Sequence, residues 1–247
     1  MPLLTEDGKQ YHIHCKEGDV GRYVLLPGDP FRTDKIAELF DDAKLVAHNR
    51  ECKTWTGTLN GVKVSVTSTG MGCPSTAIVV EELIKCGADT FIRVGTSGRI
   101  SEKAQDQSLQ GVVTTAAVRD EGTTISYVPI EYPAVADRKV VDALSTAAKK
   151  LGFNFAEGIT HSKDSLYGEV AYETLPNKAY AKQRLEAWEN AGVMCSEMEA
   201  SAIFVISSIR GCRASAVMSY QQTHLQAAME TAVESLRILI EEDKNEA

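Results

Sequence analysis

A three-layer α/β sandwich, in which a sheet lies between two layers of helices, is the fold class this sequence predicts, and two observations predict it. Short apolar runs of strand length alternate with longer segments of helical period along the whole chain. No internal repeat or linker divides the 247 residues, so one domain over 1–247 is expected, and 43% hydrophobic residues suffice to fill a large core.

Taken in order, the first strand falls near 22–26 and stops at the turn Pro27-Gly28-Asp29-Pro30. A second near 43–49 carries Leu45-Val46-Ala47 and closes at Arg50, and a third near 62–68 alternates Val62, Val64 and Val66. Residues 68–83 then read as strand end, tight turn and helix. Gly70 and Gly72 let the backbone approach a ligand closely, Pro74 stands where a helix can start, and Ile78, Leu83 and Ile84 mark the buried face of a helix near 74–86. A strand near 89–94 ends at Arg93, just before Gly95-Thr96-Ser97-Gly98. Strands near 111–118, 155–160 and 212–218, with helices near 138–151, 178–191, 197–210 and 225–243, complete the alternation. The charged stretches 102–108 and 241–246 read as a solvated loop and a frayed end.

Charge and cysteine usage narrow the function. With 26 Lys and Arg against 34 Asp and Glu, the net charge of −8 argues against nucleic acid or an anionic membrane as the main partner, so any anion site must be local. The opening Met-Pro-Leu-Leu-Thr-Glu-Asp has no basic start leading into an apolar core, and no apolar run is long enough to span a bilayer, so a cytoplasmic protein is expected. Cys15, Cys52, Cys73, Cys86, Cys195 and Cys212 lack paired metal-ligand spacing and read as reduced thiols, with Cys73, near the glycine turn, expected to be sensitive to oxidation.

Three arginines point to the chemistry. Arg32 follows the Pro-Gly-Asp-Pro turn, Arg50 closes a strand, and Arg93 precedes Gly-Thr-Ser-Gly. A lone arginine of this kind is more often a surface ion pair. Three at strand ends suggest one bound anion, because a planar guanidinium can donate two charge-assisted hydrogen bonds to a phosphate while hydroxyls and backbone amides fill in around the same oxygens.

The blocks Leu26-Pro27-Gly28-Asp29-Pro30-Phe31-Arg32, His48-Asn49-Arg50-Glu51, 68–83, Ile92-Arg93-Val94-Gly95-Thr96-Ser97-Gly98 and Ser196-Glu197-Met198-Glu199-Ala200-Ser201 resemble the nucleoside phosphorylase family. The resemblance covers nearly all residues. Segments 116–122 and 129–137, with His12, resemble the uridine phosphorylase branch in particular. It implies a mixed, partly barrel-like central sheet, and a reaction in which phosphate attacks the anomeric carbon of a nucleoside to give free base and ribose 1-phosphate. Phosphate is then a co-substrate, and no organic cofactor is implied. By the same resemblance, Gly28, Arg32, Arg93 and Thr96 bind phosphate, with Arg50 reaching in from the neighbouring subunit of a dimer. Glu199 and Met198 bind ribose, with His12 approaching from the partner. Glu51, the Met71 backbone and Ser75 lie around a monovalent cation such as potassium at the dimer interface, although packing is a competing role for them. Homodimers that assemble into a homohexamer are expected.

The base pocket departs from the pattern. Glu169 stands in the position of a glutamine, and Thr174 or a neighbour in that of an arginine, that read uracil in the uridine branch. Glu169 and Glu197 are the base-binding candidates. An ionised Glu169 only accepts hydrogen bonds and opposes a uracil anion unless burial keeps it protonated. Glu197 and Glu199 also read as acids that open the helix at 197–210 and favour its dipole. Between Arg213 and His224 the loop is short and holds no Asp to protonate a purine. Two alternatives therefore accompany the phosphorylase reading: a noncatalytic nucleoside- and phosphate-binding homologue with a degenerate base pocket, and a nucleosidase that uses water.

Overall fold

The computed structural model describes residues 4–246. Its strands are β1 (Tyr23–Leu26), β2 (Asp41–Asn49), β3 (Cys52–Leu59), β4 (Val62–Thr67), β5 (Thr90–Thr96), β6 (Gly98–Arg99), β7 (Gly111–Asp120), β8 (Ala134–Val135), β9 (Phe155–Lys163), β10 (Cys195–Glu197) and β11 (Arg213–Ser219). The helices are α1 (Pro30–Ala37), α2 (Cys73–Lys85), α3 (Arg138–Leu151), α4 (Leu166–Val170), α5 (Lys178–Asn190), α6 (Ala200–Ile209) and α7 (Leu225–Glu246).

All eleven strands join one mixed sheet in the order β2-β3-β4-β1-β5-β11-β7-β9-β10-β6, with β8 on β7. β4, β1, β5 and β11 are parallel neighbours, β7 runs against β11, and β7, β9 and β10 are parallel again. Because β6 follows β5 after Ser97 and pairs with β10, the path from β5 around to β6 closes on itself. That closure makes one half of the sheet barrel-like and brings the end of β5 beside the end of β10. Helices cover both sides, α2 packing on α6 and α3 on α7. The strands in the middle are largely apolar, as strands covered on both faces must be: Val24, Leu25, Leu26, Phe91, Ile92, Val94, Ala216 and Val217 are fully buried.

Six elements escape the apolar-run reading, the short β6, β8 and α4 among them, and a seventh begins later than expected. Helix α1 follows directly on the turn expected at 27–30, because Asp29 accepts a hydrogen bond from Phe31 N at 2.9 Å as N-cap and Pro30 occupies the first helical position. Strand β3 is built on threonines: Thr54 hydrogen-bonds Thr67 across the strands at 3.0 Å, and Thr56 bonds Ser65 at 2.7 Å. β10 has only three residues. The helix expected from 197 begins at Ala200, since Glu197 is still strand and Glu199 is the non-helical residue before the first turn.

Candidate active site

A cleft of about 810 Å³ opens where β1, β5, β9 and β10 end. Its floor at one side is two turns clamped together: Thr69 N donates to Pro27 O at 2.9 Å, and Gly70 N donates to Gly28 O at 3.0 Å. Gly70 has φ +70°, and a Cβ there would lie 2.7 Å from Glu51 Cγ and 2.9 Å from Ser75 Oγ. Only glycine meets both demands. Ser75 Oγ in turn lies 2.6 Å from Thr69 O and 3.0 Å from Glu51 Oε1, two acceptors between which its one proton is shared, which holds the turn against the β2–β3 corner.

Arg32 and Arg93 stand in the cleft wall. Arg32 Nη1 donates to Val94 O at 3.1 Å, and its Nε is buried with no hydrogen-bond partner. Burial lowers the Arg32 pKa, and repulsion from Arg93 adds to this. Among the described residues no carboxylate forms an ion pair with this guanidinium, although Asp29 and Glu199 favour its charge from further off. Arg93 is more deeply buried, 5% exposed, and is held by two carboxylates. Its Nη2 is paired with Glu199, and its Nε lies 2.8 Å from Glu197 Oε2, an ion contact whose angle falls short of a hydrogen bond. Burial opposes charge on Arg93, but Glu199 and Glu197 outweigh it and raise its pKa.

The two acids differ. Glu197 side chain has no exposed surface. Its Oε2 accepts from Glu199 N at 2.7 Å and Ala200 N at 2.9 Å, and its Oε1 accepts from Ser162 Oγ. It thus caps the free amides at the start of α6, the helix-opening role, and steadies Arg93. Ser162, the α6 amides and Arg93 thus already occupy much of what this carboxylate can accept. Glu199 Oε1 accepts from Gly72 N at 2.6 Å and so ties α6 to the glycine turn. Burial raises the Glu199 pKa and the Glu197 charge adds to this, although Arg93 pulls the other way.

At the opposite end, Lys163, the last residue of β9, donates to Glu169 Oε1 at 2.8 Å and to Ser196 Oγ at 2.5 Å. Ser196 Oγ donates to Glu169 Oε2 at 2.6 Å, and His161 Nδ1 lies 3.2 Å from the same oxygen. His161 Nε2 is 2.8 Å from Asp120 Oδ2, Asp120 pairs with Arg184, and the Trp188 ring packs on the imidazole at 5.8 Å between centroids. Burial alone pushes the Glu169 carboxyl up, yet His161, Lys163 and Ser196 hold it down at about 2. Of the two states the sequence leaves open for Glu169, its partners favour the ionised one. Burial also disfavours charge on His161, but Asp120 and Glu169 win and raise its pKa.

Of the residues singled out from sequence, Gly28, Arg32, Glu51, Met71, Ser75, Arg93, Thr96, Glu169, Glu197, Met198 and Glu199 all line this one cleft. Arg50 and His12 do not. Arg50, exposed with φ +53°, sits in the β2–β3 corner, and its neighbour Asn49 donates through Nδ2 to His12 O at 2.8 Å, so the two share a surface outside the cleft. His12 Nδ1 is 2.6 Å from Glu82 Oε1. Thr174 lies on the exposed segment between α4 and α5, away from the cleft lining. Cys73 is fully buried, with its thiol pushed far up by burial, so the expected sensitivity to oxidation is corrected.

A family model described as Phosphorylase superfamily matches residues 22–243. The chain belongs to the phosphorylase superfamily. It is 43% identical to a uridine phosphorylase of Treponema pallidum (strain Nichols), over 98% of this chain and 99% of that protein. A uridine phosphorylase of Thermococcus kodakarensis is 49% identical over 86% of this chain and 77% of its own length. A guanosine phosphorylase of Halorubrum lacusprofundi is 38% identical over 85% and 81%. In this member of the phosphorylase superfamily, sequence reasoning missed Lys163, His161 and Ser196. The signal for His161 and Lys163 was a polar run, Thr160-His161-Ser162-Lys163, at the buried end of a strand, the same kind of placement that marked Arg93. Among the described residues, no helix is long and apolar enough to cross a membrane.

Proposed function

We propose that the protein is a phosphate-dependent nucleoside phosphorylase of the uridine phosphorylase type, converting a nucleoside and phosphate to free base and ribose 1-phosphate. The observation that carries this reading is the half-buried Arg32 guanidinium, in ion pair with no carboxylate among the described residues, next to Arg93 and the Gly28 turn in a cleft that also presents Glu199. Phosphate sits among Gly28, Arg32, Arg93 and Thr96. Glu199 binds ribose hydroxyls with the oxygen shared by Gly72 N, and Met198 lies against the sugar. Holding anion and sugar in line lowers the barrier by about 7–11 kcal/mol, and the positive, water-poor wall favours the developing charge.

The shared surface of Arg50 and His12 supports a pocket completed by a second copy: Arg50 of the partner subunit reaches the phosphate and His12 of the partner subunit reaches the sugar. Such homodimers assemble into a hexamer. Glu51 and Ser75 offer hard oxygens beside the exposed Met71, which suits a monovalent cation such as potassium. No step is assigned to it. Nucleosides incubated with and without phosphate test the reading: cleavage that requires phosphate supports it, cleavage without phosphate indicates a nucleosidase, and binding without cleavage indicates a degenerate binder.

A further inference from the structure

We propose that Lys163 recognises the base and stabilises it as it leaves, donating to a ring carbonyl oxygen the N–H that Glu169 and Ser196 leave free. The reaction is taken from the phosphorylase reading; the residue is assigned by geometry. Lys163 is 7% exposed and lines the cleft. An ammonium has three N–H donors and no acceptor. Glu169 Oε1 takes one and Ser196 Oγ a second, and the third has no acceptor among the described residues.

The arrangement of the cleft places this donor at the base. In an in-line displacement the departing base lies across the anomeric carbon from the phosphate oxygen. With phosphate at Arg32 and sugar at Glu199, the rest of the lining includes one group that pairs a cation with apolar surface, Lys163, Ser196 and Glu169 with Leu166 and Val170 of α4. Leu166 and Val170 are 46% and 63% exposed, apolar surface that a flat ring can cover. Glu169 is ionised and its two oxygens are already engaged, so it orients the lysine and leaves the base to it.

A donor without acceptor capacity selects oxo bases. Uracil, hypoxanthine and guanine present a carbonyl oxygen where cytosine and adenine present an amino group, and an amino group would set donor against donor. As the phosphate oxygen bonds to the anomeric carbon, the carbon–nitrogen bond breaks and its electron pair passes to the base. Charge collects on the ring carbonyls, beside a buried cation held in place by Glu169 and Ser196. The proton carried in by the phosphate ends on the base nitrogen, so the products are neutral base and ribose 1-phosphate dianion.

The test compares Lys163→Met and Lys163→Arg with the unaltered protein by calorimetric titration with uracil and with inorganic phosphate, and by kcat for uridine and 5-fluorouridine, whose base departs as the more stable anion. Lys163→Met is expected to weaken uracil at least about tenfold with phosphate affinity unchanged, and to lower kcat about 100-fold for uridine but only about tenfold for 5-fluorouridine. Lys163→Arg should recover part of both. Uracil affinity within twofold of the unaltered protein, or equal kcat losses on the two nucleosides, overturns the assignment. If Lys163→Met fails to fold, Lys163→Met combined with Glu169→Gln removes both charges and carries the same expectation for uracil. An unaltered protein that binds uracil through Lys163 yet never turns over with phosphate overturns the phosphorylase reading and leaves the base contact standing.

Discussion

The Arg93→Ala substitution removes the guanidinium that Glu197 and Glu199 share. The Glu197 side chain has no exposed surface and that of Glu199 is 6% exposed, so neither can turn to water for compensation. Removing one partner of a buried ion pair costs about 3–5 kcal/mol, and domains of this kind are stable by about 5–15 kcal/mol, so the loss is about a fifth of the total or more. Glu197 keeps Ser162 and the amides of Glu199 and Ala200, and Glu199 keeps Gly72 N, which should let the fold survive at low temperature. Urea unfolding with and without phosphate reads both consequences. A ligand at 100 times its Kd stabilises the native state by about 2.7 kcal/mol, an increment the unaltered protein should show and Arg93→Ala should lack. Arg93→Lys, which keeps a charge without the two-pronged geometry, should fall between. Stability within about 1 kcal/mol of the unaltered protein, with the phosphate increment intact, would refute both the ion triad and its place at the anion site.

Glu169→Gln should lower stability by about 2–3 kcal/mol and uridine kcat/KM at least tenfold, because it strands the buried Lys163 charge; urea unfolding and steady-state rates check this, and a gain in uridine preference would count against it. The Glu169 carboxyl is held at about 2 against an ordinary 4.5, so its stabilising contribution is complete above about 4.5 and is lost as pH falls toward 2; Glu169→Gln should flatten that acid limb in unfolding measured from pH 2 to 6. His161 shifts the other way. Its contribution is complete below about 6.5 and is lost as pH rises through the raised folded value, so His161→Phe should abolish an alkaline decline seen between pH 6 and 9. Mixing Arg32→Ala with Arg50→Ala chains should restore activity to pockets that combine an intact Arg32 with an intact Arg50 of the partner subunit; confirmed mixed dimers that stay inactive would argue against shared pockets.

The parts of the fold that announce themselves by apolar periodicity were legible: β1, β5 and β11 as continuous buried runs, and α2, α3 and α7 as helical patterns, appear within a few residues of where the sequence puts them. β3 was not, because its buried positions include Thr54 and Gly57 and its cohesion comes from hydroxyl pairs instead of apolar surface. α1 carried its own signal in Asp29-Pro30, an N-cap followed by a proline at the first helical position, which competes with a turn reading of the same residues. At the site, glycines and strand-end arginines were legible because those residue types are costly in such places without a ligand or a close approach to justify them. The roles of the acids were not. Glu197 and Glu199 are two residues apart, yet a backbone kink at Glu199, φ −141° and ψ −23°, sends one to the helix amides and the other to Gly72. Glu169 looked like an isolated polarity change against a glutamine. Its meaning depends on Lys163, Ser196 and His161, which come from two other strands and meet only when β9 and β10 pair, Ser196 opposite His161.

Phosphorolysis requires a new bond between the anomeric carbon and a phosphate oxygen. The most direct measurement supplies uridine with phosphate labelled uniformly with heavy oxygen and follows the label by mass spectrometry. Ribose 1-phosphate that keeps all four labelled oxygens, the bridging one included, together with free uracil, is the predicted result. Free ribose whose anomeric oxygen comes from water would contradict the account.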